Sequence, residues 1–407
     1  AGRRAASMLR SAATFGHRGA SMSPVSVLPR CARLHSGPLH CTRRAAQGKW
    51  RAKQSRVPAR ASAGHVLGSF PDEMRAACEA VQLAGKLCRA TQAVLRANER
   101  VQKQDDSPVT VADFAAQAVV SFWLQRAHPS IALVAEETAD CLRDGTAEGA
   151  ELLRKVTELV NTVLAECDWL DAAQVAALID RGGSSGARRG RYWILDPVDG
   201  TKGFINGRQY AVALALMEDG LVTGGVLGCP NMPWAPVPRG ATEIPTASPG
   251  VIFAAYKGCG TVAAPMDAEA PLETGQVVTT HKAMCGSEAR YMESWGDSIV
   301  AAHGETALLA AALGVTEAPV RIDSMAKYGA LARGDTDMYL RFPPATYREK
   351  VWDHAAGVAV VTEAGGVVTD GAGQPLDFSA GRFLDIEGGI VASSTPELHA
   401  QLLAAIA

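Results

Sequence analysis

The chain has 407 residues, of which 47% are hydrophobic and 20% are charged, so it is long enough for more than one core and too apolar to be disordered. Its formal net charge of −2 is unevenly spread, because residues 1–71 contain 13 Lys or Arg and no Asp or Glu. The rest of the chain is therefore acidic, which argues against a nucleic-acid partner, and no apolar run reaches the roughly 18 residues of a membrane-spanning helix.

Residues 1–69 form the first predicted unit. They are rich in Arg, Ala and Ser and have no acidic residue, and their basic residues are scattered. This composition is typical of an organelle transit peptide, which we expect to be disordered. Chloroplast is the favoured destination and mitochondrion the alternative; a basic tail that binds nucleic acid is the other interpretation.

Two helices and a strand are predicted next. Apolar residues recur at helical spacing over residues 71–101, with acidic residues in the first turn, where the helix dipole favours them. A short extended piece, residues 109–111, leads to a second helix over residues 113–126. Residues 130–135 (SIALVA) are predicted as a buried strand that ends at Glu136.

The remaining elements alternate between strands and helices. Residues 192–196 read as a strand ended by Pro197, and residues 210–217 and 221–228 as a strand pair. A Pro/Gly-rich stretch, residues 229–250, marks an expected crossing between an N-terminal half (70–240) and a C-terminal half (241–407). Strands are predicted at residues 320–322, 338–342, 366–369 and 389–392, and helices at 151–166, 305–313, 326–333, 353–364 and 396–406. This alternation predicts an α/β fold built in layers.

The string WILDPVDGTKGF carries the strongest chemical signal. A buried strand runs into Asp196, and Asp199 follows three residues later, so both carboxylates can face one space. The carbonyl of Val198 lies between them as a third oxygen ligand. Gly200 permits a tight turn, and a helix that opens at Thr201 directs backbone N–H groups of these two residues toward a phosphate oxygen.

Three further acidic motifs are ambiguous when they are taken one at a time. Asp113 in VTVADFAAQ fits a capped helix start, Glu136 in LVAEET a solvated strand end, and Asp353 in WDHAAG a helix N-cap. Carboxylates gathered in one poorly solvated place repel each other unless they hold cations, and Mg²⁺ prefers oxygen ligands. Together the motifs predict a metal-dependent enzyme that acts on a phosphorylated substrate.

In this order the motifs resemble those of the lithium-sensitive, Mg²⁺-dependent phosphatases related to inositol monophosphatase. The strings RIDSMAKYGALARGD, YLRFP, YREKVWDHAAGVAVVTEAGG and PLDFSAGRFLD resemble the 3'(2'),5'-bisphosphate nucleotidases, above all the plant type. The resemblance runs from about residue 70 to the C-terminus. It implies a layered αβαβα sandwich and hydrolysis of adenosine 3',5'-bisphosphate to AMP and phosphate, with activity on the 5'-phosphosulfate analogue.

The resemblance also implies roles for single residues, with two or three Mg²⁺ ions per site. The first ion would be held by Glu136, Asp196 and the Val198 carbonyl, and the second by Asp196, Asp199 and Asp353. Asp113 and Thr201 would polarise the attacking water, with Asp113 taking a proton through the Thr201 hydroxyl. The substrate would contact Gly200, Thr201, His303, Asp323, Ser324, Lys327, Arg341 and Asp353, and residues 347–350 would border its ribose or 5'-phosphate.

Two basic residues restrict the class of substrate that we expect. Lys327 and Arg341 would supply fixed positive charge for a second phosphate, which inositol monophosphate lacks. We therefore expect a small nucleotide substrate. We also expect a monomeric enzyme. Inositol polyphosphate 1-phosphatase and a catalytically inactive nucleotide sensor are the alternatives.

One string departs from the family pattern. SIVAAHGETALLAAALGV has only His303 where the nucleotidases carry His-Ser-x-His, so the alignment there stays open.

Overall fold

The computed structural model describes residues 68–98, 107–164, 168–296, 303–344 and 346–407. Almost all of the predicted transit peptide, residues 1–67, lies outside these ranges. The described residues belong to one compact unit. Within them, no helix combines the length and the apolar character that crossing a bilayer requires.

Twelve strands form two sheets in the described part of the chain. The first sheet contains, in spatial and chain order, β1 (Ala132–Ala135), β2 (Arg191–Asp199), β3 (Ala211–Glu218), β4 (Leu221–Cys229), β5 (Val251–Tyr256), β6 (Gly260–Pro265) and β7 (Gln276–Val278). Only its first pair, β1 with β2, is parallel. The second sheet contains β8 (Tyr291–Glu293), β9 (Val320–Arg321), β10 (Met338–Arg341), β11 (Val367–Asp370) and β12 (Ile390–Ser393), in the order β11-β12-β10-β8-β9.

Helices cover both sheets and fill the space between them. They are α1 (Asp72–Asn98), α2 (Ser107–Ala127), α3 (Ala147–Leu164), α4 (Ala172–Asp180), α5 (Thr201–Ile205), α6 (Pro271–Thr274), α7 (His303–Ala312), α8 (Ala326–Ala332), α9 (Ala355–Glu363) and α10 (Pro396–Ile406). Helices α1 and α2 pack on the first sheet, α8 and α9 contact strands of both sheets, and α7 and α10 pack on the second sheet. The predicted αβαβα sandwich is confirmed.

Side chains of β2 show how the layers are built. Trp193 and Leu195 belong to the core under α1 and α2, whereas Tyr192 and Ile194 belong to the core that includes α8 and α9. Successive side chains of a strand point to opposite faces, so a strand with helices on both faces needs apolar residues at every position. The continuous apolar run before Asp196 is the consequence.

Three local predictions differ from the structure. Helix α2 begins at Ser107, so residues 109–111 are helical and Asp113 lies inside the helix rather than at its start. Strand β2 continues through Pro197 to Asp199, because the pairing with β3 shifts register between Asp196 and Asp199 and leaves the proline in an irregularity. A proline is tolerated where no ladder N–H is required.

The third difference concerns the Pro/Gly-rich stretch. Residues 229–250 connect β4 to β5, which are neighbours in one sheet, so this stretch is not a crossing between sheets. Strands β5, β6 and β7 lie beyond the predicted boundary at residue 240 and still extend the first sheet. The chain passes to the second sheet only after Val278.

Candidate active site

The turn between β2 and α5 is fixed by its backbone. Gly200 has a φ of +85°, and a Cβ placed there would lie 2.7 Å from the Cβ of Ser324. The N–H of Phe204 donates to the Gly200 carbonyl at 2.9 Å, which starts the helix at Thr201. Glycine is therefore required both for the left-handed conformation and for the close approach of a second segment.

Backbone donors also hold the two aspartates of this turn. The N–H of Val198 donates to Oδ1 of Asp196 at 3.1 Å. The N–H of Met325 donates to Oδ2 of Asp199. Asp196 is only 2% exposed, and Val198 is equally buried. Both carboxylates are thus placed by main-chain geometry, which leaves little rotational freedom for their side chains.

A cavity of about 310 Å³ opens beside this turn. It is lined by Asp199, Gly200, Thr201, Lys202, Gly203, Ser294, Asp323, Ser324, Met325, Lys327, Tyr328, Tyr339, Arg341, Tyr347 and Asp353. The cavity therefore brings together every predicted substrate-binding residue except His303. Tyr347, from the stretch expected to border the ribose or the 5'-phosphate, lines it as well.

Electrostatic coupling shows that the predicted metal ligands are neighbours. Burial, Glu136, Asp199 and Asp353 together raise the pKa of Asp196 well above its ordinary value. Burial and the nearby Glu137 raise the pKa of Glu136 to about 7. Burial and Asp353 raise the pKa of Asp199 to about 6. Carboxylates from three separate segments therefore oppose each other's ionisation at one place.

Asp113, which lies in α2, is close enough to these carboxylates to be affected by their charge. Burial, followed by the charges of Glu137 and Glu136, raises its pKa well above the ordinary value. Asp113 does not line the cavity, whereas Thr201 does. Helices α2 and α5 are in contact. The structure thus places this predicted pair on adjoining elements.

The set fits a divalent cation by the chemistry of its donors. Buried carboxylates that raise each other's pKa form an anionic oxygen cage, and a hard cation such as Mg²⁺ relieves that repulsion. Within the described ranges, one set of three potential metal-binding side chains has ligand atoms that all lie within 4.8 Å of one another: Glu349, Asp353 and His354. The four predicted ligand carboxylates are more widely spaced than this, and their roles as ligands stay a prediction.

The tight group is already occupied by its own hydrogen bonds. Arg341 donates to both oxygens of Glu349, at 2.7 and 2.8 Å, and Nε2 of His354 lies 3.0 Å from the same carboxylate. Nδ1 of His354 lies 2.8 Å from the Tyr328 hydroxyl. Although burial acts in the opposite direction, these partners lower the pKa of Glu349 to about 2. Glu349 is therefore a support for Arg341, and of the three only Asp353 faces the cavity.

Two cationic side chains, the buried Lys327 and the partly buried Arg341, also line the cavity. Nζ of Lys327 donates to Ser294 Oγ at 3.1 Å and to the Ile322 carbonyl at 3.2 Å. Burial lowers the pKa of Lys327 to about 8, and the nearby aspartates oppose that shift. Arg341, held by Glu349, also reaches Oδ2 of Asp353 at 3.5 Å. The lining of the cavity thus combines acidic and basic side chains.

His303 has a different setting from the one expected. Its Nδ1 lies 3.0 Å from Nη1 of Arg321 and 3.7 Å from a carboxylate oxygen of Glu293. It does not line the cavity. The imidazole of His303, at the start of α7, is instead directed to Arg321 of β9 and Glu293 of β8, and its contact with the substrate stays a prediction.

Ser294 and Tyr339 are among the polar residues of the cavity that sequence reasoning missed. Ser294 follows β8, in a stretch for which no element was predicted. Tyr339 lies in a predicted strand, but its aromatic side chain has no local signature of function. It lies under Lys327, whose Nζ is 5.2 Å from the ring centroid. Only knowledge of the sheet order would have placed both residues at this cavity.

Curated proteins similar to this chain are bisphosphate nucleotidases. The chain is 44% identical over 348 residues to a 3'(2'),5'-bisphosphate nucleotidase of Oryza sativa, covering 83% of this chain and 94% of the relative. It is 42% identical over 310 residues to a 3'(2'),5'-bisphosphate nucleotidase of Emericella nidulans, covering 73% of this chain and 87% of the relative.

Solved structures share the fold at low identity. An extragenic suppressor protein suhB of Bartonella henselae matches with a TM-score of 0.53 and 18% identity, covering 83% of this chain and 98% of that one. An inositol monophosphatase of Zymomonas mobilis matches with a TM-score of 0.52 and 20% identity, covering 82% and 97%. The model of the inositol monophosphatase family, whose members are metal-dependent and usually use Mg²⁺, matches residues 71–407. The chain therefore belongs to the inositol monophosphatase family.

Proposed function

We propose that this protein is a Mg²⁺-dependent 3'(2'),5'-bisphosphate nucleotidase. It removes the 3'-phosphate of adenosine 3',5'-bisphosphate, and of the 5'-phosphosulfate analogue, to give the 5'-nucleotide and inorganic phosphate. The names of the plant and fungal relatives support this substrate class. Two or three ions per site, and inhibition by lithium, are part of the proposal.

One observation carries the proposal: a single cavity is lined both by carboxylates that are predicted to hold metal and by two cationic side chains. The carboxylates are Asp199 and Asp353, and the cations are the buried Lys327 and the partly buried Arg341. A substrate with two phosphates matches this lining. The scissile phosphate would bind at the metal held by the carboxylates, and Lys327 and Arg341 would bind the second phosphate.

The residues of the chain divide the chemistry as follows. Divalent cations, when bound, lower the pKa of a water and neutralise charge on the leaving oxygen. Thr201 lines the cavity, and Asp113 lies on the adjoining helix. In this proposal Asp113 accepts the proton of the attacking water through the Thr201 hydroxyl. Lys327 and Arg341 hold the substrate while the phosphoryl group is transferred in line to water.

The experiment compares two bisphosphates as substrates of the purified chain from residue 68 onward. We expect Mg²⁺-dependent phosphate release from adenosine 3',5'-bisphosphate to exceed release from inositol 1,4-bisphosphate by at least about tenfold in kcat/KM, which corresponds to about 1.4 kcal/mol. Faster turnover of the inositol compound would reverse the assignment in favour of an inositol polyphosphate 1-phosphatase. Nucleotide binding without any phosphate release would instead indicate a sensor.

The destination of the chain is a separate proposal. We infer chloroplast import, with mitochondrial import as the alternative, from the basic, acid-free composition of residues 1–69. A fluorescent protein fused behind these residues should enter plastids of plant cells. A fusion that stays in the cytosol would contradict the proposal without touching the enzymatic one.

A further inference from the structure

A segment near the C-terminus pairs with the chain that leads to Asp353. The N–H of Val351 donates to the Arg382 carbonyl at 3.1 Å, and the N–H of Leu384 donates to the Glu349 carbonyl at 2.9 Å. Lys350 and Phe383 form an antiparallel bridge between these two bonds. Residues 382–384, which we call the C-terminal clamp, therefore lie directly beside the segment that delivers Asp353.

The side chain of Arg382 extends from the clamp to the opposite group of ligands. Its Nη2 donates to the carbonyl of Ala135 at 2.5 Å and lies 3.4 Å from the carbonyl of Glu136, and Nη1 lies 3.3 and 3.4 Å from the carbonyls of Gly182 and Ser184. One guanidinium thus gathers four backbone oxygens from the end of β1 and from the loop before β2. Five donors in a planar fork suit this task.

The same guanidinium packs on the residue next to Asp353. Its carbon lies 4.6 Å from the ring centroid of Trp352, which is 4% exposed. Arg382 therefore contacts the carbonyl of one predicted ligand residue, Glu136, and the neighbour of another, Asp353. These two carboxylates lie outside the rigid β2–α5 turn, so the turn cannot fix their separation.

We infer that Arg382 is a positioning residue that sets the separation of Glu136 and Asp353 and thereby the affinity of the site for Mg²⁺. The inference rests on the proposed function, in which both carboxylates hold metal. Partners that orient metal ligands contribute about 10–100-fold to metal affinity. Lysine at this position would keep the charge but lose the forked contacts to four carbonyls.

The test measures Mg²⁺ binding directly, by calorimetry on the metal-free chain from residue 68 onward, and the Mg²⁺ concentration that half-saturates phosphate release. We expect Arg382→Met to weaken both by about tenfold or more. Arg382→Lys should also weaken Mg²⁺ binding and raise the half-saturating Mg²⁺ concentration. Because it keeps the positive charge, it is the variant to measure if Arg382→Met does not fold. Wild-type affinity in the folded variants would overturn the inference, as would a lower thermal midpoint of the metal-free protein with unchanged Mg²⁺ affinity.

Arg126→Met is the matched control. Arg126 also packs on an aromatic ring, with its guanidinium carbon 5.4 Å from the ring centroid of Phe122, and pairs with Asp168 at 2.5 Å, but 57% of its side chain is exposed. It should keep wild-type Mg²⁺ affinity, and a loss equal to that of the Arg382 variants would contradict a specific role for Arg382. If the wild-type chain itself binds no Mg²⁺ and releases no phosphate, the proposed function fails, which the Arg382 variants do not decide.

Discussion

At Asp199, main-chain support and electrostatic repulsion act on one side chain. The Met325 N–H and the cations Lys327 and Arg341 favour the ionised carboxylate, while burial and the charge of Asp353 oppose it and prevail, so the pKa is raised to about 6. A side chain that is positioned before any ion binds, and that gains from the ion's charge, is suited to bind metal without rearrangement.

Asp199→Asn should separate this charge from the geometry. The amide has nearly the volume of the carboxylate and still offers an oxygen to the Met325 N–H, but it removes one negative charge from the group of carboxylates. We expect kcat in Mg²⁺ to fall by about 10³-fold, or about 4 kcal/mol. The thermal midpoint of the metal-free variant should equal or exceed that of the wild type, because repulsion is relieved. Near-wild-type turnover in a phosphate-release assay would show that Asp199 is not a metal ligand.

The short connection between β2 and α5 is the element on which the site depends. It brings Asp199 to the cavity wall, and at the same turn Ser324 packs against Gly200. Ser324 itself has a φ of +67°. Two unusual backbone conformations therefore meet here, and such residues persist where the surrounding structure fixes them.

Gly200→Ala should damage activity more than stability, and Gly190→Ala is its matched control. Both glycines have a φ near +85°, at +85° and +83°, so each alanine costs about 1–2 kcal/mol of backbone strain. At Gly190 the new Cβ meets nothing within 4 Å, whereas at Gly200 it displaces Ser324. We expect a loss of thermal midpoint in both variants, larger for Gly200→Ala because of its added contact with Ser324, and a loss of kcat/KM of at least about tenfold for Gly200→Ala alone. Equal activity of the two variants would contradict the argument.

Elements with a strong local pattern could be predicted, and their ends could not. The turn after β2 and the closing helix α10 carry their own signals, and both form where expected. Residues 109–111 contain β-branched side chains that favour a strand, yet α2 includes them, because packing between helices outweighs weak propensity. Pro197 similarly lies within β2, since a shift of register accommodates it.

At the scale of the whole molecule, the site forms where the two sheets and their intervening helices meet. The first sheet supplies Asp199 from the end of β2, while Lys327 comes from α8 and Arg341 from β10 of the second sheet. The layers could be predicted from alternating strands and helices. The boundary between the sheets could not: it lies after Val278 and not at residue 240, because the pairing of β5 with β4 joins segments on either side of a long Pro/Gly-rich stretch. Which strands share a sheet is decided by contacts remote in sequence.

Repulsion among the buried carboxylates makes the stability of the whole molecule depend on both pH and metal. Glu136 and Asp199 have folded-state pKa values of about 7 and 6, above their ordinary values of 4.5 and 3.8. Between about pH 4 and pH 7 the folded state therefore binds more protons at these groups than the unfolded state, so their contribution to stability falls as pH rises. His399, whose pKa burial lowers to about 4, has the opposite slope up to pH 6.5.

The effect of Mg²⁺ is measured as the difference between the thermal midpoints with and without the ion at one pH. His399 contributes equally to both samples, so its effect cancels in this difference. Protons and Mg²⁺ compete for the same carboxylates. We therefore expect 10 mM Mg²⁺ to raise the thermal midpoint little at pH 5 and by several degrees at pH 8. An ion at a hundredfold excess over its Kd adds about 2.7 kcal/mol to the free energy of unfolding. Calorimetric scans with Mg²⁺ and with a chelator at both pH values measure this. Glu136→Gln cannot ionise at that position, so it should show a smaller Mg²⁺ shift and a weaker dependence of that shift on pH. Equal shifts at pH 5 and pH 8 in the wild type would mean that the ion is not held by these carboxylates, because binding in competition with their protons must weaken at the lower pH.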